Sequence, residues 1–152
     1  MDKMKIIFVC HGNICRSPMA EFVFKHLAEA AGCADRFEVS SAAVSYEEEG
    51  NPVYPPARRK LTEKGIAFGS HSAHRITPGE YAGADLVIIM DRSNRRLLEH
   101  IVGEDHEGKV HMMMEYASEN RDVADPWYTG DFEKAYNDVL RGCRGLLDSL
   151  KD

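Results

Sequence analysis

Short apolar segments alternate with helical segments along this chain, and this alternation restricts its fold more than any other feature. Four runs are predicted strands: residues 4–9 and 86–90, which are rich in apolar and branched side chains as buried strands are, residues 37–42 and, more weakly, residues 110–113. Helical patterns lie between these runs and after the last one. Strands that alternate with helices indicate a parallel sheet with helices on both faces. We therefore predict an α/β fold.

Four helices are predicted. The first is expected to begin at Ser17-Pro18, with Ser17 as the capping residue and Pro18 as the first helical residue, and to end at Gly32. The others are expected at residues 56–64, 93–101 and 132–150, and apolar side chains recur every three or four residues in the last of them. Residues 43–55 and 116–131 are predicted loops. The length of 152 residues suits a single domain spanning 1–152.

The charge and the cysteines narrow the class of protein. Against 25 acidic residues there are 19 Lys and Arg, which gives a net charge of −6. A general nucleic-acid binder would be basic, so no nucleic-acid partner is expected. No apolar stretch approaches the roughly 18 residues of a membrane span, so we expect no membrane partner and a cytoplasmic location. The four cysteines form no C-x-x-C pair, and no metal or cofactor site is predicted.

The chemistry is expected in the segment that follows the first strand, Val9-Cys10-His11-Gly12-Asn13-Ile14-Cys15-Arg16-Ser17-Pro18. A strand that leads through a Gly-Asn turn into a helix can point successive backbone N–H groups inward, as an anion-binding nest. Ligands in parallel sheets bind at this carboxyl end of the strands. The spacing of Cys10 and Arg16 lets a thiol and a guanidinium meet the same small anion.

Such a nest also activates the thiol of Cys10. Helix N-termini and cationic neighbours favour the thiolate, which is the nucleophilic form of cysteine. The hydroxyl of Ser17 can donate to the same sulfur. A lone cysteine after a strand is usually a core residue, but the whole segment predicts a nucleophile beneath an oxyanion clamp, suited to attack on phosphorus.

On these residues the chain resembles the low-molecular-weight protein tyrosine phosphatases, over essentially its whole length. The segment Cys10–Pro18 is similar to the family's phosphate-binding loop almost letter for letter. Further similarities lie at Asp125-Pro126-Trp127-Tyr128, at the start of the last helix and at residues 90–94. The resemblance implies a four-stranded parallel sheet flanked by helices, a phosphate-binding loop after the first strand, no metal and a phosphocysteine intermediate.

The resemblance also implies roles for individual residues. Cys10 would be the nucleophile, Arg16 the phosphate clamp and Asp125 the general acid, followed by the general base. A carboxyl group in this role answers a chemical need, because a phenolate leaves slowly unless it is protonated. Around these three, the expected substrate-binding residues are His11, Gly12, Asn13, Ile14, Cys15, Ser17, Trp127 and Tyr128, with Ser41 and His71 behind them.

Cys15 has a second implied role. The family resemblance implies a reversible disulfide between Cys10 and Cys15 that protects the nucleophile from oxidation. A reactive thiolate beside a resolving cysteine is the expected arrangement of a redox-sensitive site. The implied partner is a phosphotyrosine-containing protein, such as a tyrosine kinase, and the implied assembly is a monomer or a weak dimer.

Three departures from the family pattern bear on selectivity. An acidic run, Tyr46-Glu47-Glu48-Glu49, stands where many members carry Trp or Tyr on the loop after the second strand. His11 replaces the apolar residue that usually follows the nucleophile. Near His71, the family's arginine is displaced by one place, to Arg75. Either Tyr46 takes the place of the family's aromatic wall or the acidic run changes the peptide preference, and in both cases we expect the chemistry to be unchanged.

Other functions on a similar scaffold remain open. A thioredoxin-linked arsenate reductase needs further cysteines in the later middle of the chain, and none lies between Cys33 and Cys143. A protein-arginine phosphatase usually carries Thr where Ile14 stands. A phosphate-binding module without turnover would not need Cys10, Arg16 and Asp125 together. A metal site built on Cys10, His11 and Cys15 would need a fourth ligand.

Overall fold

The computed structural model describes residues 2–151, and its centre is a four-stranded sheet in which every pair of neighbouring strands is parallel. The strands occur in the order β2-β1-β3-β4. Their bounds are β1, Met4–Cys10; β2, Phe37–Ala43; β3, Leu86–Ile89; and β4, Val110–Met112. The predicted α/β fold with a four-stranded parallel sheet flanked by helices is confirmed.

The central strand β1 is apolar and buried from Ile6 to Cys10 because both of its faces are covered there. Side chains alternate across a strand, so Ile6 and Phe8 pack into one core while Ile7 and Val9 pack into another on the opposite face. Strand β1 pairs with β2 on one side and β3 on the other, which leaves its carboxyl end in the middle of the sheet edge. Cys10 is the last residue of this strand.

Within residues 2–151, six α-helices surround the sheet. They are α1, Arg16–Ala30; α2, Pro55–Glu63; α3, Pro78–Gly83; α4, Arg92–Val102; α5, Pro126–Thr129; and α6, Phe132–Leu150. Helices α1 and α6 pack together on one face of the sheet, and α3 and α4 contact each other on the other. The predicted helix at 132–150 coincides with α6, and the predicted helix at 93–101 lies within α4. None of the helices within residues 2–151 has the length and apolarity that crossing a membrane requires.

Helix α1 begins earlier than predicted. Arg16 is its first residue and Cys15 its capping residue, so Ser17 is not the cap. The Ser17 side chain contacts Cys10 and Asn13 instead, and the long-range contacts of the loop decide where the helix starts. Pro18 is tolerated there because the N–H groups of the first turn have no partner within a helix.

Two short helices lie in segments for which no helix was predicted. Helix α3 has a capping box, in which the Thr77 side chain accepts from the Glu80 amide and the Glu80 carboxylate accepts from the Thr77 amide. Helix α5 lies within the predicted loop 116–131. A 3-10 segment, Met113–Ala117, overlaps the first two residues of the same loop. Helix α5 starts at Pro126 and ends at Gly130, whose φ of 73° suits a residue without a side chain.

Helix α6 approaches the 3-10 segment closely at two glycines. A Cβ atom added to Gly145 would lie 1.8 Å from the carbonyl oxygen of Tyr116. One added to Gly142 would lie 2.6 Å from the side chain of Met113. The 3-10 segment can therefore pack closely against α6 only because these two positions of α6 lack side chains.

Candidate active site

The loop between β1 and α1 wraps around the sulfur of Cys10. The backbone amide of Asn13 lies 3.3 Å from Sγ, and the amide of Ser17 lies 3.4 Å from it. The Asn13 amide points at the sulfur from the loop, and the Ser17 amide points at it from the first turn of α1, where the helix dipole favours negative charge. The predicted nest of amides is present, and it can hold a thiolate or an anion beside it.

Asn13 gives this loop its shape. Its φ of 60° lies in the left-handed region, which asparagine enters more readily than most residues. Its side-chain Nδ2 donates to Oγ of Ser17 at 2.7 Å and to Oγ of Ser41 at 3.0 Å. Its carbonyl oxygen accepts from Nε2 of His71 at 2.7 Å. Ser41 and His71, which were expected behind the loop, therefore both contact Asn13.

The hydroxyl of Ser17 is directed by that network. Its Oγ accepts from Asn13 and lies 3.1 Å from Sγ of Cys10, while the carbonyl oxygen of Ala42 is farther away, at 3.4 Å. Because the oxygen already accepts a hydrogen bond, its own proton is available to the sulfur. A thiolate at Cys10 would be the stronger acceptor, since hydrogen bonds to ionised groups are stronger than neutral ones.

Arg16 is buried at the floor of the site, with 1% of its surface exposed. Its Nη1 donates to a carboxylate oxygen of Asp91 at 2.7 Å and to the carbonyl oxygen of Val123 at 2.8 Å. Its Nη2 lies 3.3 Å from a carboxylate oxygen of Asp125. Burial alone would lower the pKa of Arg16, but the negative charges of Cys10, Asp125 and Asp91 outweigh it and raise that pKa.

One donor of Arg16 is left over. Its Nε is buried and has no hydrogen-bond partner within the described part of the chain. A buried donor without a partner is costly, and such groups are rare in folded proteins. Because Arg16 lines the pocket beside Cys10, an anion bound there can satisfy this donor.

Asp125 stands at the side of the pocket, as the capping residue of α5. One carboxylate oxygen accepts from the amide of Trp127 at 3.0 Å, and the other faces Arg16. The side chain is 24% exposed, so the carboxyl group can exchange protons with water. It shares the pocket with the sulfur of Cys10. A carboxyl group in this position can give its proton to a leaving group while the sulfur attacks an anion bound in the pocket.

The pocket brings most of the predicted site residues together. Those that line it are Cys10, His11, Gly12, Ile14, Cys15, Arg16, Asp125, Trp127 and Tyr128. Two exposed aromatic side chains form one wall, Trp127 at 51% exposure and Tyr128 at 83%. Of the remaining predicted residues, Asn13 lies in the loop and Ser17 in the first turn of α1, and Ser41 and His71 contact Asn13 from behind the loop.

Sequence reasoning missed several contributors. Glu47 and Glu48 also line the pocket, although the sequence pointed only to their effect on peptide preference. Asp91 holds Arg16, and the signal for it was its position just after β3, at the same sheet edge as Cys10. The ring of Tyr54 lies 4.9 Å from that of Trp127 and supports it.

Cys15 lies in the wall of the pocket and is 5% exposed. Burial raises the pKa of its thiol, and the neighbouring charge of Cys10 raises it further. Cys15 is therefore protonated at neutral pH. Within residues 2–151, no group of three or more His, Cys, Asp or Glu side chains could hold a metal ion.

The sequence is similar to known proteins of one family. The sequence model described as "Low molecular weight phosphotyrosine protein phosphatase" matches residues 5–152. The low molecular weight protein-tyrosine-phosphatase YfkJ of Bacillus subtilis is 33% identical over 150 residues, covering 97% of this chain and 96% of YfkJ. The human low molecular weight phosphotyrosine protein phosphatase is 35% identical over 148 residues, covering 94% of this chain and 93% of the human protein.

Solved structures agree with the sequence matches. The crystal structure of YfkJ covers 99% of this chain and 96% of its own, with a TM-score of 0.94 and 32% identity. The arginine phosphatase YwlE, as a cysteine-to-serine variant with a phosphorylated active-site serine, covers 98% of this chain and 97% of its own. Its TM-score is 0.84 and its identity is 33%.

The fold and the anion nest, with its thiol, guanidinium and carboxyl group, define a phosphatase of the α/β class. The family match is equally plain, because it spans nearly the whole chain. This protein belongs to the low molecular weight phosphotyrosine protein phosphatase family, a family of hydrolases that act on phosphoproteins.

Proposed function

We propose that this protein hydrolyses phosphotyrosine in proteins, and small aryl phosphates, through a phosphocysteine intermediate and without a metal ion. One observation carries the proposal: Sγ of Cys10, the buried guanidinium of Arg16 and the carboxyl group of Asp125 meet in a single pocket. Each of them supplies one requirement of the reaction. Phosphotyrosine as the substrate class is part of the proposal.

In the first step, the thiolate of Cys10 attacks phosphorus and an S–P bond forms. The bond from phosphorus to the phenolic oxygen breaks, and Asp125 gives its proton to that oxygen. The backbone amides of the loop and Arg16 hold the oxygens of the transferring group, where negative charge develops. In the second step, water attacks phosphorus, Asp125 takes the proton, and the S–P bond breaks to release phosphate.

Two observations support cysteine as the nucleophile. The amides of Asn13 and Ser17 and the Ser17 hydroxyl all surround the sulfur, which is the environment a thiolate needs. In the related protein YwlE, a serine that replaces the active-site cysteine is phosphorylated. By analogy, the side chain of Cys10 would carry the phosphoryl group in this chain.

The walls of the pocket favour an aromatic substrate. Trp127 and Tyr128 stand at its mouth, where they can pack against a tyrosine ring, and Ile14 adds apolar surface. The longer reach of phosphotyrosine, compared with phosphoserine, lets its phosphate meet Cys10 while its main chain stays outside. Phosphoarginine is the second candidate, because YwlE is an arginine phosphatase and the carboxylate of Glu48 lines the pocket.

A turnover panel with a chelator and no added metal tests the proposal. The substrates are peptides with phosphotyrosine, phosphoserine and phosphoarginine, together with arsenate and a thiol reductant. We expect phosphotyrosine to give the highest kcat/KM, and Cys10→Ser to abolish its hydrolysis. A higher kcat/KM for phosphoarginine would make this an arginine phosphatase, and loss of activity with the chelator would refute the mechanism.

The role of Asp125 needs a separate measurement on a series of aryl phosphates. Asp125→Ala should lower kcat by about 10²- to 10⁴-fold for phenyl phosphate, the usual range for a lost general acid. The loss should shrink for nitrophenyl phosphates, because their phenolates leave without protonation. An equal loss across the series would mean that Asp125 is structural.

A further inference from the structure

The floor and the mouth of the pocket carry opposite charges. At the floor, the amides of the loop and Arg16 attract an anion. Glu47, which is 68% exposed, and Glu48 also line this pocket, together with Trp127 and Tyr128. Arg16 is the only Lys or Arg among the described residues that line the pocket, and it lies at the bottom. A substrate that enters therefore passes from a negative rim to a positive floor.

The acidic rim, defined here as Glu47 and Glu48, is held to the phosphate-binding loop. The amide of Val44 donates to the carbonyl oxygen of Cys10 at 3.1 Å, and Oγ of Ser45 donates to the carbonyl oxygen of His11 at 3.0 Å. These bonds tie the chain just before the rim to the loop that holds the nucleophile. The carboxylates are therefore fixed in position relative to the bound phosphate.

Glu48 is fixed more tightly than Glu47. Its Cγ would lie 3.2 Å from a Cβ atom placed on Gly12, so its stem packs against the backbone of the loop. Its carboxylate accepts from Nδ2 of Asn51 at 2.9 Å, and because this partner is a neutral amide, the negative charge stays uncompensated. Glu47 is 68% exposed, and its carboxylate accepts from Nε2 of His11 at 2.9 Å.

The position of the rim decides which part of a substrate it meets. The phosphate of a phosphotyrosine residue would satisfy the unpartnered Nε of Arg16. The tyrosine ring would then lie in the pocket beside Trp127 and Tyr128. The peptide main chain and the neighbouring side chains would then lie at the mouth, next to Glu47 and Glu48. Charges on those neighbouring side chains interact directly with the rim.

We propose that Glu47 and Glu48 select phosphotyrosine segments with Lys or Arg beside the phosphotyrosine, and discriminate against segments with Asp or Glu there. This proposal rests on the proposed phosphotyrosine phosphatase function. Attraction of a basic neighbour and repulsion of an acidic one both raise the ratio of kcat/KM for a basic segment to kcat/KM for an acidic one. Solvent-exposed charge pairs are individually weak, so the combined effect is about five- to tenfold in kcat/KM.

The test uses three phosphotyrosine peptides that differ only in the residues on each side of phosphotyrosine: Lys, Gln or Glu. The measured quantity is the ratio of kcat/KM for the Lys peptide to that for the Glu peptide, which is internal to each variant. In the wild-type protein we expect a ratio of about five to ten, falling towards one at about 1 M salt, where charges are screened. In the double variant Glu47→Gln/Glu48→Gln we expect a ratio below about two.

The matched control is Glu104→Gln, which removes the same charge from an exposed loop after α4 and should keep the wild-type ratio. A wild-type ratio near or below one would overturn the proposal, and so would a double variant that keeps the full ratio. Failure of the wild-type protein to hydrolyse any of the three peptides would instead refute the proposed phosphotyrosine activity.

Discussion

The packing of α6 against the 3-10 segment makes Gly145→Ala a sharp test of the structure. From helix propensity alone, Ala in place of Gly inside a helix should stabilise the protein by about 1 kcal/mol. The structure predicts the opposite sign. The new Cβ atom would lie 1.8 Å from the carbonyl oxygen of Tyr116 and 2.7 Å from its carbonyl carbon.

The size of the effect follows from what the methyl group meets. Both Tyr116 atoms belong to the backbone, so no side-chain rotation can relieve the overlap, and the 3-10 segment or α6 must move. Overpacking costs about 1–3 kcal/mol where side chains can adjust, and a backbone clash should reach or exceed the upper end. After subtraction of the propensity gain, we expect a loss of about 2 kcal/mol, which lowers Tm by about 4–8 °C in a protein of this size.

Thermal unfolding followed by circular dichroism measures this shift. The control is Gly83→Ala at the end of α3, where no atom lies within 4 Å of the added Cβ, so its Tm should equal the wild-type value or exceed it by up to about 4 °C. Since the displaced segment leads to Asp125, Gly145→Ala should also lower kcat for phenyl phosphate. A variant with an unchanged or higher Tm would show that α6 and the 3-10 segment are not packed as described.

Three further predictions concern other parts of the molecule. Arg121 donates two hydrogen bonds to the buried carboxylate of Asp138, at 2.8 and 2.9 Å. Because Arg121 is partly exposed, we expect Arg121→Met to reduce the free energy of unfolding by about 1–2 kcal/mol and to lower Tm by about 2–8 °C. An unchanged Tm would contradict this. Burial opposes ionisation of Asp105, but hydrogen bonds from two backbone amides and a tyrosine hydroxyl outweigh it and lower its pKa, so its contribution to stability is present above about pH 4 and disappears as the pH falls further. Urea unfolding should therefore find Asp105→Asn less stable than wild type at pH 7 and the gap closing below pH 4, whereas a gap independent of pH would refute the assignment. Peroxide should inactivate the enzyme by oxidising Cys10, and a thiol reductant should restore activity through a disulfide with Cys15; equal recovery in Cys15→Ser would show that Cys15 is not the resolving thiol.

The strands and the phosphate-binding loop could be predicted because their signals are local. An uninterrupted apolar run such as residues 6–9 suits a strand that is covered on both faces, and it can be recognised without knowledge of its partners. The loop after it carries its own turn, nest and helix start within ten residues. The resemblance then supplied Asp125, which no local pattern distinguishes from an ordinary Asp-Pro turn.

The remaining features depend on contacts between distant parts of the chain. Asp91 and Val123, which hold Arg16, are 75 and 107 residues away from it, and no spacing rule connects them. Ser17 looks like a helix cap on local propensity, but its hydroxyl oxygen accepts from Asn13, and the helix starts at Arg16, two residues before the predicted Pro18. Helix α3 shows the reverse case, because its capping box is a local sequence pattern that begins at Thr77.

The way in which Arg16 is held has a consequence for engineering and for the origin of such sites. The ten-residue loop looks like a portable motif, yet its guanidinium is buried and depends on a carboxylate after β3 and a carbonyl oxygen before α5. Grafted onto another strand–helix junction, the same ten residues would carry a buried cation with two of its partners missing. The unit that could be transplanted is therefore the whole carboxyl edge of the sheet. It comprises the loop after β1, the segment after β3 and the segment before α5, rather than the loop alone.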